Sequence, residues 1–243
     1  MSGQDTPRSV AEGFAKDLIR LLNTTVCDDA YIGIVERPFD GTVSFGTGLW
    51  PGTAVQNIRM RTVGDCACWL RISGLLFLDP AGYLTVSKSA YVVLAGDPAV
   101  ELFHYDYERD KADYPDAHMQ VFAGGDAWDE LLIASGKRAD SLSKLHLPVG
   151  GKRYRPALED ILESLIAEGI LEPKPGWERV LDDSRAEFRR RQLKAAIRRD
   201  PDTAMAALQA LGYKIVEPDR SADVLEFRKP SKLRKQRGRG QRL

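Results

Sequence analysis

The chain's three histidines, His104, His118 and His146, all fall between Leu102 and Pro156. In the run Glu101 to Arg109, strand alternation puts Phe103, Tyr105 and Tyr107 on one face and Leu102, His104, Asp106 and Glu108 on the other. With Asp110 to Asp116 as a hairpin loop, His118 and Gln120 of the next strand reach that same polar face, opposite Glu108 and Asp106. Two imidazoles and two carboxylates on one surface suit general acid–base chemistry, because a carboxylate beside a histidine fixes its tautomer and raises its pKa towards the working pH. In that chemistry His118 is the acid or base, Asp106 or Glu108 orients it, and His104 and His146 assist. The set His104, Asp106 and His118 also suits a divalent metal, and all of these residues also read as ordinary cross-strand pairs on a solvated sheet face. Spacing alone does not separate the three readings.

His146 stands in Leu-His-Leu-Pro-Val-Gly-Gly-Lys-Arg-Tyr-Arg-Pro, where a strand runs through a glycine turn towards a helix start. Backbone N–H groups freed at Gly150 and Gly151, the positive end of the helix, and Lys152, Arg153 and Arg155 can together hold one phosphate. The spacing is neither a Walker loop nor a dinucleotide-binding fingerprint, and no Ser or Thr follows the lysine to hold magnesium. The alternative is a plain connection in which Arg153 and Arg155 pair with Glu159, Asp160 or Glu163.

Charge points to an anionic partner. The formal net charge is zero, but Lys229 to Leu243 carries seven Lys or Arg and no acid, leaving 28 basic against 35 acidic residues before it. A tail with so little to bury is expected to be disordered when free, and Lys232, Arg234, Lys235, Arg237 and Arg239 suit RNA or DNA phosphates through counterion release. A solubilising tail, or a clamp on the acidic body, is the competing reading. In the helix expected from Trp177 to Arg199, Arg190, Arg191, Lys194 and Arg198 gather along one side, either to follow a phosphate backbone or as a solvated face in which Glu187 pairs with Arg191.

The elements that must position these groups are marked by period and punctuation. An amphipathic helix is expected over Ser9 to Leu22 behind Pro7. Strands follow at Tyr31 to Glu36, Gln56 to Val63, Cys68 to Leu78, Tyr83 to Ala95, Glu101 to Arg109 and Ala117 to Ala123, joined as an antiparallel meander. Asp126 is placed as cap of a helix from Ala127 to Ser135, with a short strand, Lys144 to Leu147, after it. A helix from Pro156 to Glu168 ends before Gly169. After a Pro-rich linker come the charged helix, another capped by Asp200 and begun by Pro201, and a hairpin of Tyr213 to Glu217 with Val224 to Arg228. This order of helices and hairpin is that of a winged helix, but its recognition helix, Asp202 to Leu211, has no basic residue with which to read bases.

The expected fold is α+β: a mainly antiparallel sheet with flanking helices in residues 1–151, a helical section with a small hairpin in 152–228, and a disordered basic tail in 229–243. With 43% hydrophobic residues the chain can bury a sizeable core. It shows no signal peptide and no apolar run long enough to span a bilayer, so a cytoplasmic location without membrane contact is expected. Three cysteines, Cys27, Cys66 and Cys68, form no disulfide framework; buried thiols on a strand explain them better than a metal site that lacks further ligands.

Phe103 to Tyr107, Asp116 to Val121 and the stretch Leu145 to Asp160 resemble a group of uncharacterised actinobacterial proteins, a likeness that implies no activity. A Tyr-Asp strand followed by an Ala-His strand is similar, more remotely, to small toxin-like proteins of toxin–antitoxin modules, which implies RNA-directed chemistry. The expectation is a bacterial nucleic-acid-associated protein of mobile-element or defence type, which in an enzymatic version acts on RNA or DNA phosphodiesters. A protein-interaction module with an electrostatic tail and a phosphate-ligand binder are the alternatives. No cofactor or metal is assigned, and the sequence does not decide whether the protein is an enzyme.

Overall fold

The computed structural model describes residues 6–49, 56–111, 113–136, 138, 141–149 and 157–216, without the side chains of Trp128 and Ser141. The chain forms two compact units, Met1–Arg191 and Gln192–Leu243.

The first unit is α+β. Helix α1 (Pro7–Thr25) starts as the proline predicts, with Thr6 accepting a hydrogen bond from the Ser9 amide at 3.1 Å. Its stripe Ala11, Ala15, Leu18, Leu21 and Leu22 is buried. An eight-stranded antiparallel sheet follows: β1 (Gly33–Arg37), β2 (Thr42–Gly46), β3 (Ile58–Met60), β4 (Cys68–Leu78), β5 (Leu84–Ala95), β6 (Val100–Glu108), β7 (Ala117–Val121) and β8 (Leu147–Pro148). The order is β1-β2-β4-β5-β6-β7-β8, and β3 pairs with β4 beside that path. Sequential strands are neighbours because short loops such as Asp79 to Gly82 reverse the chain, with Gly82 at φ 79°.

One sheet face is apolar. Val43 and Phe45 of β2, Leu70, Ile72 and Leu76 of β4, and Tyr91 and Val93 of β5 pack in one cluster with α1. The same cluster takes in Leu158, Ile161, Leu162 and Leu165 of α3 (Leu158–Ala167) and Leu181 of α4 (Trp177–Arg199). Period-3.6 burial on these helices therefore completes the core that period-two burial on the strands begins.

Several details differ from the sequence reading. Strand β2 was not expected; it is five residues long, and its alternation of Val43 and Phe45 is too short to stand out. Lys144 to Leu147 is not a strand: Ser141–Lys144 forms a 3-10 turn and β8 is only Leu147–Pro148. In α2 (Asp126–Ala134) Gly125, not Asp126, occupies the cap position, and no side chain caps it.

The second unit contains the end of α4 and α5 (Pro201–Ala210), where Asp200 caps as expected by accepting from the Thr203 amide at 3.2 Å. No residue of α5 is buried. Tyr213 to Val216 is not a strand, since no described strand lies beside it to bond with, and Val224 to Arg228 lies outside the described residues.

Candidate functional site

The β6–β7 hairpin places the histidines. Its ladder pairs His104 with Gln120, Asp106 with His118, and Tyr107 with Ala117. The expected pairing set His118 opposite Glu108 and Gln120 opposite Asp106; the true register is two residues away. A shift of two preserves the face, so His104, Asp106, His118 and Gln120 share a surface as anticipated. The ladder ends where the Glu108 amide donates to the Asp116 carbonyl at 2.7 Å, and Asp110 takes φ 60° in the loop.

Asp106 is central. Its Oδ2 lies 3.4 Å from His104 Nε2 and 3.8 Å from His118 Nε2. His104 is held at both nitrogens, Nδ1 by Glu101 and Nε2 by Gln120 Oε1 at 2.5 Å. The Gln120 amide is oriented by its own donation to the Ser143 carbonyl at 2.9 Å, so it presents oxygen to His104. An imidazole facing two acceptors must donate twice, and only the imidazolium can. The pKa agrees: burial opposes the charge, but Glu101, Gln120 and Asp106 outweigh it and raise His104 above its ordinary value. Burial pushes the Asp106 carboxyl up, with His104 and His118 acting the other way.

His118 is 2% exposed and donates from Nδ1 to the Pro115 carbonyl at 2.9 Å. This leaves Nε2 turned towards Asp106. His146, half-buried, completes the group: its ring stacks on Tyr114 at 4.2 Å between centroids and meets His118 edge-on at 4.7 Å. Burial, reinforced by His118, lowers the His146 pKa, so it is a neutral base at pH 7. Lys111 Nζ lies 4.9 Å from the Tyr114 ring centre and 3.2 Å from Glu108, and Lys88 approaches the same carboxylate at 3.4 Å. Burial would raise Glu108, but the two lysines hold it low.

All three histidines therefore meet on one sheet face. Glu101, Lys111 and Tyr114 belong to the group and were not anticipated. Tyr114 lies four residues before His118 in a loop with no periodic pattern, and Glu101 reaches His104 next to the β5–β6 register shift at Val93/Leu94. Among the described residues no group of three or more His, Cys, Asp or Glu is arranged to hold a metal.

The other expected groups fall elsewhere. Gly150, Gly151, Lys152, Arg153 and Arg155 lie outside the described residues; the chain enters that segment with Val149 N–H donating to the Ala117 carbonyl at 3.3 Å. The acids once matched with Arg153 and Arg155 are engaged by α4: Glu159 accepts from Ser184 at 2.5 Å, and Arg185 reaches Asp160 at 3.1 Å and Glu163 at 2.5 Å. On α4, Arg190 and Arg191 both pair with Glu187, at 2.7 and 3.0 Å, and Arg191 lies 3.7 Å from Asp17. Lys194 and Arg198, in the second unit, are exposed. Lys232, Arg234, Lys235, Arg237 and Arg239 lie outside the described residues. Cys27, Cys66 and Cys68 are free thiols; Cys27 and Cys68 are buried, and burial pushes Cys27 up to about 12, far from a nucleophile's range.

The raised His104 pKa ties stability to pH. A folded-state pKa above the unfolded value of about 6.5 contributes stability that is complete below that value and is lost as pH rises through the folded one. His104→Gln is therefore expected to lower the melting temperature more at about pH 6 than at about pH 9. A gap that is constant over this range, measured by thermal unfolding, would remove the imidazolium from the account.

Among the described residues no helix is long and apolar enough to cross a membrane. No protein-family model matches the chain, and neither a curated protein nor a solved structure matches it.

Proposed function

We propose that this is a nucleic-acid-associated protein whose histidine group performs proton transfer at a phosphodiester. One observation carries the reading: a cationic His104 and a neutral His146 belong to one contact chain through Asp106 and His118, with pKa values displaced in opposite directions. Groups pushed apart in this way supply an acid and a base at a single pH. His146, half-buried where His118 is buried, is the base that meets substrate. His118 and Asp106 sit behind it and relay charge, and His104 keeps a positive charge beneath the site. Lys111 and the basic run Lys152, Arg153 and Arg155 are the anchors for the phosphate, and the cationic tail brings the strand to the body.

The test is binding and cleavage of single-stranded RNA and DNA at low salt, with the full chain and a chain ending at Arg228. Seven cations are removed in the shorter chain, so its slope of log affinity against log salt is expected to fall by up to about 5. If neither chain binds either nucleic acid, the proposal fails.

A protein-interaction reading rests on a different observation. In the second unit no residue of α5 is fully buried among the described residues, and Leu208 and Leu211 stand 44% and 75% exposed, an apolar surface of the kind that partners cover.

A further inference from the structure

On the sheet face that carries the histidines, three strands from His118, lies a second feature that owes nothing to them. Cys68, Leu70 and Ile72 of β4 point into the core, so Trp69 and Arg71 point to the opposite face. Arg59 of β3, paired with Trp69 across the ladder, lays its guanidinium over the indole at 5.0 Å from the ring centre. The indole is clamped from its edge, where Nε1 donates to the Gly96 carbonyl at 3.1 Å. Arg71 donates from Nε to Asn57 Oδ1 at 3.1 Å, which leaves the Asn57 amide nitrogen without a partner among the described residues.

Asn57, Arg59 and Trp69 line a cleft of about 180 Å³ together with Asp29 and Tyr31. At about 30 Å³ per water, that is room for about six waters. Both of its charges are uncommitted: neither Arg59 nor Asp29 is held in an ion pair by another described residue, nor do they pair with each other. A guanidinium held over an aromatic ring keeps its N–H groups for a carboxylate, which it can take in bidentate fashion, and the Asn57 amide adds a donor. Asp29 supplies the opposite charge.

We propose that this cleft binds a small zwitterion, with its carboxylate on Arg59 and Asn57 and its ammonium on Asp29. A simple anion would be repelled by Asp29 and a simple cation by Arg59; a molecule bearing both charges satisfies the two. The size of the cleft sets the class as that of a free amino acid or a short ω-amino acid.

The experiment is an NMR titration of the full chain with glycine, β-alanine and γ-aminobutyrate, with acetate and methylammonium as single-charge controls. The readout is the Trp69 indole N–H resonance, assigned by its loss in Trp69→Phe. At least one zwitterion is expected to shift it with a Kd on the order of 1 mM, as suits a ligand of so few atoms. Acetate and methylammonium are expected to bind at least about tenfold more weakly, and Arg59→Gln and Asp29→Asn each to weaken the zwitterion about tenfold, a loss typical of one charged hydrogen-bond partner. Both residues are exposed, so neither change threatens the fold. The proposal is overturned if no zwitterion shifts the resonance, if the variants bind it as well as the wild type, or if acetate binds equally and Asp29→Asn strengthens it, which would mark a plain anion site.

Discussion

Cleavage of a phosphodiester substrate by His146→Ala is expected to fall by about 10²- to 10⁴-fold, the usual contribution of a positioned general base, while nucleic-acid binding and melting temperature change little. The side chain is half-buried and makes ring contacts with Tyr114 and His118 but no hydrogen bond with another described residue, so removing it leaves no buried polar group stranded among them. His118→Ala behaves differently. Its ring is 2% exposed and bonded to the Pro115 carbonyl, so activity and stability are expected to fall together. The pair of variants separates chemistry from folding. Asp106→Asn adds a third signature, because an amide cannot ionise as the carboxyl that burial pushes up does: the acidic limb of the pH–rate profile should move, whereas a purely structural aspartate would change the rate at all pH values alike. Unchanged cleavage in His146→Ala would remove the histidine group as catalyst.

Gly74→Ala is expected to destabilise the first unit by about 3 kcal/mol, at the upper end of ordinary overpacking, read as a fall in melting temperature. Gly74 of β4 is paired with Phe45 of β2, and the Phe45 ring lies across it. A Cβ there would fall 2.2 Å from Phe45 Cε1 and 2.6 Å from the Lys88 carbonyl oxygen. The ring is itself 1% exposed, with Phe14 of α1 meeting it edge-on at 5.2 Å, so it cannot retreat without disturbing the helix; the carbonyl belongs to the β4–β5 ladder and cannot retreat at all. Gly13, by contrast, has no atom within 4 Å of an added Cβ, so Gly13→Ala on α1 is the matched control and should be neutral or slightly stabilising. Equal melting temperatures for the two variants would show that the Phe45–Gly74 contact is not a constraint on the sheet.

Much of the architecture is legible in the residues because its signals are local. Cys68 to Leu78 has the bounds that its β-branched and aromatic run suggests, and Trp177 to Arg199 and the Asp200 cap follow from charge, proline and glycine placement. Strand β2 and the turn at Ser141 to Lys144 were missed because five residues or fewer hold too little periodicity to read. The candidate site divides along the same line. That His104, Asp106, His118 and Gln120 share a face follows from parity, which survives a register error of two. Which carboxylate lies opposite which histidine does not, since it depends on where the loop after Glu108 lets the ladder start.

The sequence by itself therefore determined the class of fold, the polar character of one sheet face and the candidates upon it, because a two-residue period and a 3.6-residue period are properties of the chain alone. The tertiary structure decided that His146 joins His104 and His118, that Tyr114 stacks on His146 and also meets Lys111, and that Asp106 rather than Glu108 is the carboxylate at the centre. Those contacts run between β6, β7, the loop between them and the segment before β8. No spacing in the sequence encodes distances between segments whose approach is set by the packing of the whole sheet.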